Sequence, residues 1–280
     1  MHRLDTADGR LAMKASTPQL QTRPSTARLR TAVALALLTI VGTAFASSAQ
    51  AGEISINELR GAPAVENSDS DRDGAAWTAE VIDAVNIRSA PRADAKVQTT
   101  TDSYAPYSGR RAILLVTGAA REASGQEWVR VRLPVRPNGT TGWMRREAVR
   151  LVATPLSIRV RLATRTLELW SGRTLIAVYP AGIGRSKTPT PTGRFAIEDK
   201  VETPPSERAV YGRYIVTLTA HSNVLMRFNG GDGQIGIHGS GTIGRVGRPS
   251  SNGCLILGDA PLRRIWKHVG RGTPIEISAT

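Results

Sequence analysis

A lone cysteine, Cys254, stands in the stretch GRPSSNGCLIL (residues 247–257), and His238 precedes it by sixteen residues. A thiol and an imidazole are the first two groups that nucleophilic cysteine chemistry needs. Sulfur attacks as the thiolate, and a neighbouring base or cation must take its proton or balance its charge. The third need is a set of donors for the oxyanion formed when a carbonyl is attacked. A glycine beside the sulfur, here Gly253, lets main-chain N–H groups turn toward that position. On residue types alone, a catalytic Cys254/His238 pair and a buried structural cysteine near a satisfied histidine are equal readings, because free cysteines are so often buried.

The elements that must carry these groups read as strands. From Leu156 the segments LSIRVRLATRTLELWSG, RTLIAVYPAGIG, GRFAIEDKV, RYIVTLTA, GQIGIH and TPIEIS alternate or run apolar between Gly, Pro and Ser turns. Leu262, Ile265, Trp266 and Val269 share helical spacing in APLRRIWKHV, which predicts one short helix near the end of a mainly antiparallel β domain over residues 154–280. Upstream, residues 76–153 hold short apolar runs separated by turns. WVRVRL sets Trp128, Val129, Val131 and Leu133 against Arg130 and Arg132, and SAPRAD and PNGTTG supply turns, so a small all-β barrel is expected there. Trp128 and Trp143 are expected in its core rather than on a ligand platform. Residues 52–75, polar and acidic, read as a flexible linker.

The N-terminal part, residues 1–51, has the layout of a signal peptide. Arg28 and Arg30 precede an apolar run from Ala32 to Ala46, and the small-residue triplet Ala49-Gln50-Ala51 follows. An uncleaved membrane anchor is the alternative, and Met13 is an alternative start. Either way the remainder is expected outside the cytoplasm, in the cell wall, the periplasmic space or the medium. One cysteine cannot staple an exported domain, so the thiol needs another reason to be there.

Of the net charge of +14, +4 falls on residues 1–51, +1 on 52–153 and +9 on 154–280. Such a field favours a polyanionic neighbour, and outside the cell an anionic wall polymer fits it. Nucleic acid is not expected, because no helix-turn-helix, zinc-finger or aromatic RNA-binding signature accompanies the charge. A metal site is not expected either. One cysteine and the scattered His2, His221 and His268 offer no ligand spacing, and His221 and His268 read as surface or packing residues.

Three blocks in order carry a family resemblance: TPTPTGRFAI (188–197), IHGS (237–240) and SNGC (251–254), with twelve residues between His238 and Ser251. They resemble the L,D-transpeptidase catalytic domain of the YkuD type. Residues 85–97 (VNIRSAPRADAKV) and the hairpin over 128–144 resemble the bacterial SH3 domain. The fold class expected is therefore mainly β, a small SH3-like barrel followed by a β-rich L,D-transpeptidase catalytic domain with one short helix. The resemblance implies that Cys254 is the nucleophile on a peptidoglycan stem tetrapeptide and releases its terminal D-Ala. It implies that His238 holds the thiolate and acts as acid and base, with Gly253, Asn252, Ser251 and Ser240 supporting the site and the oxyanion. The acyl-enzyme passes to an amine or to water. No metal or organic cofactor is implied, and the chain is expected to act as a monomer.

The sequence departs from the family pattern twice. Asn252 stands where the common motif has histidine, and an amide cannot titrate, so His238 must be the base. Ile256 stands where many members carry arginine. Arg245 and Arg248 are the nearby substitutes, weighed against the reading that both are solvated loop charges. Two further readings follow: a non-catalytic wall-binding scaffold with a degenerate transpeptidase domain, and an L,D-carboxypeptidase. A wall cysteine peptidase of the NlpC type is disfavoured, since that family places its cysteine before its histidine.

Overall fold

The computed structural model describes residues 75–101, 104–241 and 244–280, all within one compact unit. The expected signal peptide and linker up to residue 74 lie outside the described residues. Two β-sheets and a two-stranded ribbon account for nearly all of the structure.

The first sheet holds β1 (Ala76–Val81), β2 (Val85–Arg88), β3 (Val97–Thr101), β4 (Ile113–Arg121), β5 (Glu127–Arg132), β6 (Thr141–Arg145) and β7 (Val149–Thr154). All its pairings are antiparallel, in the order β3-β2-β6-β5-β4-β1-β7. Alternation in WVRVRL turns Val129 and Val131 into a core with Ile87, Leu114, Val116 and Met144. Trp128 is fully buried, and Trp143 is half-buried with the Arg130 guanidinium 5.7 Å from its ring centre. This separate β-rich domain is consistent with an SH3-like fold.

From Leu156 the chain forms β8 (Leu156–Arg161), β9 (Thr166–Ser171), β10 (Thr174–Pro180), β11 (Ile183–Gly184), β12 (Gly193–Glu202), β13 (Tyr214–His221), β14 (Gln234–His238), β15 (Pro249–Ser251), β16 (Leu255–Ile256) and β17 (Pro274–Ser278). Eight of these make one sheet in the order β10-β9-β8-β17-β12-β13-β14-β16, while β11 and β15 pair as a parallel ribbon. The sheet is less uniformly antiparallel than the alternation suggests, since β8/β17 and β14/β16 pair parallel. Ile158, Val160, Phe195, Ile197, Val216, Leu218, Ile235, Ile237, Leu255 and Ile275 form its core with the helix residues Leu262, Ile265 and Val269.

Two helices occur among the described residues, α1 (Arg208–Tyr211) and α2 (Asp259–His268). The helix expected from the spacing of Leu262, Ile265, Trp266 and Val269 is α2. Its Trp266 stacks on Tyr214 at 4.8 Å. The single turn α1 has no buried residue and therefore left no apolar stripe to read.

Loops of the first sheet are bonded into the second. Asp199, with no exposed surface, accepts from the Tyr107 and Ser108 N–H groups at 3.0 and 2.7 Å and from Ser108 Oγ at 2.7 Å. A buried carboxylate is costly unless its lone pairs are filled, and the 107–108 loop fills them. Arg136 donates to the carbonyls of Asp232, Ser222 and Leu225 at 2.6, 2.9 and 3.1 Å, and Asn138 exchanges hydrogen bonds with the His221 main chain. These bonds grip the connection between β13 and β14, the strand that ends on His238.

Candidate active site

Parallel pairing of β14 with β16 sets Ile237 beside Leu255 and His238 beside Ile256. Ile237 and Leu255 point into the core, so the alternation of strand side chains turns His238 to the opposite face. Cys254, one residue before Leu255, is diagonal to His238 across the two strands. The sixteen-residue interval of the sequence thus runs from the end of one strand to the start of its parallel neighbour.

His238 is only 6% exposed, and its Nδ1 lies 2.6 Å from the carbonyl oxygen of Gly239. A carbonyl can only accept, so Nδ1 carries the proton and Nε2 is left with the lone pair. The Tyr211 ring and the imidazole meet in a T-shaped arrangement, with ring centres 5.2 Å apart. Burial pushes the His238 pKa down to about 4, and the Arg245 charge adds to that, against the opposing bond to Gly239.

Cys254 is a free, half-buried cysteine. Burial of its thiol is the leading influence and raises its pKa, while a main-chain bond from Gly236 and the charge of Arg245 pull the other way. The resemblance implies a thiolate held by His238. Burial instead favours uncharged thiol and uncharged imidazole at rest, because the hydration each ion would lose outweighs what the Gly236 bond and the Arg245 charge return to the thiolate.

The turn before the sulfur is closed by its own side chains. Ser251, 2% exposed, donates from Oγ to the Cys254 carbonyl at 2.6 Å and accepts the Gly253 N–H at 3.1 Å. Thr190 Oγ1 donates to the Gly253 carbonyl at 2.8 Å and accepts the Gly184 N–H at 2.9 Å, tying the turn to β11. Gly253 has φ +124°, and a Cβ there would lie 2.8 Å from Ile235 Cδ1. The backbone conformation therefore favours glycine, whereas the Ile235 methyl is a side-chain end that could shift.

The remaining expected residues divide. Asn252 is half-buried at the rim, and its Oδ1 accepts from Arg185 Nη1 at 3.0 Å. Arg245 is half-buried, and its charge reaches both His238 and Cys254, whereas Arg248 is exposed and only its carbonyl is engaged, by the Ile183 N–H. Ile256 is fully buried and exchanges two main-chain bonds with Gly182. Ser240 faces a different cleft of ≈390 Å³, lined by Arg208, Arg213, Tyr214, Asp259, Leu262 and Arg263 and by neither Cys254 nor His238. His221 is buried and its Nε2 lies 2.8 Å from Asp232, while His268 is exposed on α2. Arg185, Thr190 and Tyr211 are site residues that the sequence reasoning did not single out.

With this geometry in place, the comparisons identify the domain class: residues 155–277 match the L,D-transpeptidase catalytic domain of the YkuD family, and the chain carries that domain behind a separate β-rich one. Two curated relatives that bear the name L,D-transpeptidase YkuD, from Bacillus licheniformis and Bacillus subtilis, are 28% and 26% identical over 124 residues, 44% of this chain. The match spans 66% of the length of each of those relatives. Among solved structures, an L,D-transpeptidase from Mycobacterium smegmatis aligns with a TM-score of 0.37 at 14% identity, covering 60% of this chain and 91% of that one. No helix among the described residues is long and apolar enough to cross a membrane.

Proposed function

We propose that the chain is an exported L,D-transpeptidase that acts on peptidoglycan stem tetrapeptides through a Cys254 acyl-enzyme. The observation that carries this reading is the Nδ1 proton of His238, held on the Gly239 carbonyl, on the strand paired with the one that follows Cys254. That bond leaves Nε2 as a base facing the side of the sheet where the sulfur lies.

In this reading His238 Nε2 takes the thiol proton as Sγ bonds to the carbonyl carbon between the diamino acid and the terminal D-Ala. The carbonyl oxygen becomes an oxyanion. Since Ser251 Oγ occupies the Gly253 N–H, the oxyanion falls to the Cys254 N–H. The C–N bond breaks, the proton passes from His238 to the departing D-Ala amine, and a thioester remains. An acceptor amine on a neighbouring stem then attacks the thioester. His238 takes that amine's proton and returns it to the sulfur, forming the cross-link; water in place of the amine gives the carboxypeptidase outcome.

The test is incubation of the protein with a carbapenem, an acylating β-lactam, followed by mass spectrometry, alongside exchange of the terminal D-Ala of a tetrapeptide. A covalent adduct on Cys254 and exchange that is lost in a folded Cys254→Ala are the expected results. No adduct and no exchange in the native chain would leave the scaffold reading standing.

A further inference from the structure

We propose that Arg185 and Arg245 together form a carboxylate-binding clamp at the rim of the Cys254 site, which recognises a carboxylate of the donor stem. This rests on the transpeptidase reading for the identity of the ligand, but not for the existence of the clamp.

The two guanidinium groups come from segments sixty residues apart and converge on one atom. Arg185 Nη2 and Arg245 Nη2 donate to the Ser250 carbonyl at 2.9 and 3.1 Å. A shared acceptor therefore brings two like charges within a few ångströms of each other. Like charges so placed repel, and among the described residues neither arginine has an acidic partner. A carbonyl and an amide oxygen, that of Asn252, orient the pair without neutralising it. Most of the N–H groups of two planar forks remain for an anion, and a carboxylate matches that geometry with paired hydrogen bonds.

The clamp is built rather than incidental. The Arg245 segment packs so closely over Gly182 that a Cβ there would lie 2.4 Å from the Arg245 carbonyl and 3.0 Å from Ile256 Cβ. Ser250 Oγ donates to the same Arg245 carbonyl at 2.9 Å, and the Arg185 N–H bonds to the Ser251 carbonyl at 3.1 Å. Both arginines are thus tied to residues 250–252, immediately before the sulfur. The Arg245 main chain and the buried Ile256 both close on Gly182, and the Arg245 charge bears on Cys254 and His238.

A tetrapeptide stem offers two carboxylates near the bond that breaks: the terminal one on the leaving D-Ala, and a side-chain one where the diamino acid is a diacid. The clamp binds either by the same chemistry, and amidation tells them apart. For Arg185→Gln and Arg245→Gln in the full chain, KM for a donor with both carboxylates free should rise about tenfold. The donor amidated at the recognised carboxylate should bind weakly to the native chain and lose little more in the variants, while Arg→Lys restores part of the loss. Equal losses for free and amidated donors would overturn the assignment.

A second measurement is independent of the reaction. Iodoacetate and iodoacetamide alkylate the same sulfur and differ in a carboxylate, so the ratio of their rates with Cys254 should fall severalfold in both Gln variants. An unchanged ratio overturns the clamp. Absence of D-Ala exchange with every donor would sink the transpeptidase reading and the stem as ligand, while the halide ratio would still report on the clamp.

Discussion

At the scale of single residues, burial disfavours charge on both the Cys254 thiol and the His238 imidazole. A free imidazole begins to protonate near pH 6.5, whereas burial holds His238 down to about 4. Acylation of Cys254 in single-turnover mode should therefore keep its rate between pH 7 and pH 5.5 and show the His238-linked loss nearer pH 4. An acid limb centred at 6.5 would mean that the imidazole is hydrated in solution. Residue types alone left a catalytic Cys254 and His238 as one of two equal readings, and the likeness of IHGS and SNGC to the family pattern is what singled them out. Arg185 was not legible, because its partners Ser250 and Asn252 lie 65 and 67 residues away and only strand pairing joins them. Tyr211 was hidden for another reason: the turn that carries it has no buried residue and hence no periodic signal.

Among the elements, the turn 251–254 is held both by its own Ser251 and by a tie to β11. Thr190 is the joint, with one hydroxyl serving the Gly184 N–H and the Gly253 carbonyl. Thr190→Val keeps the shape and removes both bonds, leaving two buried main-chain groups without partners at about 1–3 kcal/mol each. The expected outcome is a Tm lower by roughly 4–24 °C, with slower acylation of Cys254. A native Tm in that variant would show that the turn holds itself. TPTPTGRFAI was recognisable as a block before its physical role was. The threonine at its third position fastens the nucleophile's turn from the loop between β11 and β12, some sixty residues earlier in the chain. Strand existence was readable from alternation, whereas the parallel pairings β8/β17 and β14/β16 were not, because alternation records which face is buried and not which way the neighbour runs.

For the whole molecule, the contact between the two β domains carries a titration of its own. Glu198, beside the buried Asp199, bonds Gln234 and Thr217, and burial above all raises its pKa to about 7. The ordinary value is 4.5, so from pH 4.5 to 7 the unfolded chain has lost a proton that the folded chain keeps, and stability falls as pH rises through that window. His238 acts with the opposite sign: from pH 4 to 6.5 the unfolded chain binds a proton that the folded chain refuses, and stability rises. The two slopes oppose each other where they overlap, which flattens the native profile. Glu198→Gln removes one of them. Its Tm should exceed the native value above pH 7, approach it below pH 4.5, and climb more steeply with pH in between, as thermal melts across that range would reveal. Parallel native and variant profiles would mean that the carboxyl is hydrated.

The position of β17 has a consequence for the order in which the molecule can be completed. It lies between β8 and β12, so the eight-stranded sheet stays in two halves until residues 274–278 are present. One half carries β8, β9 and β10, and the other carries β12, β13, β14 and β16 with both reactive groups. A chain emerging N-terminus first can form its barrel and pair its hairpins early, but it cannot fuse those halves. Cys254 and His238 are both made before the strand that joins their half of the sheet to the other. A settled geometry for the sulfur and its base therefore waits on residues 274–278, which follow every other strand of that sheet in the chain.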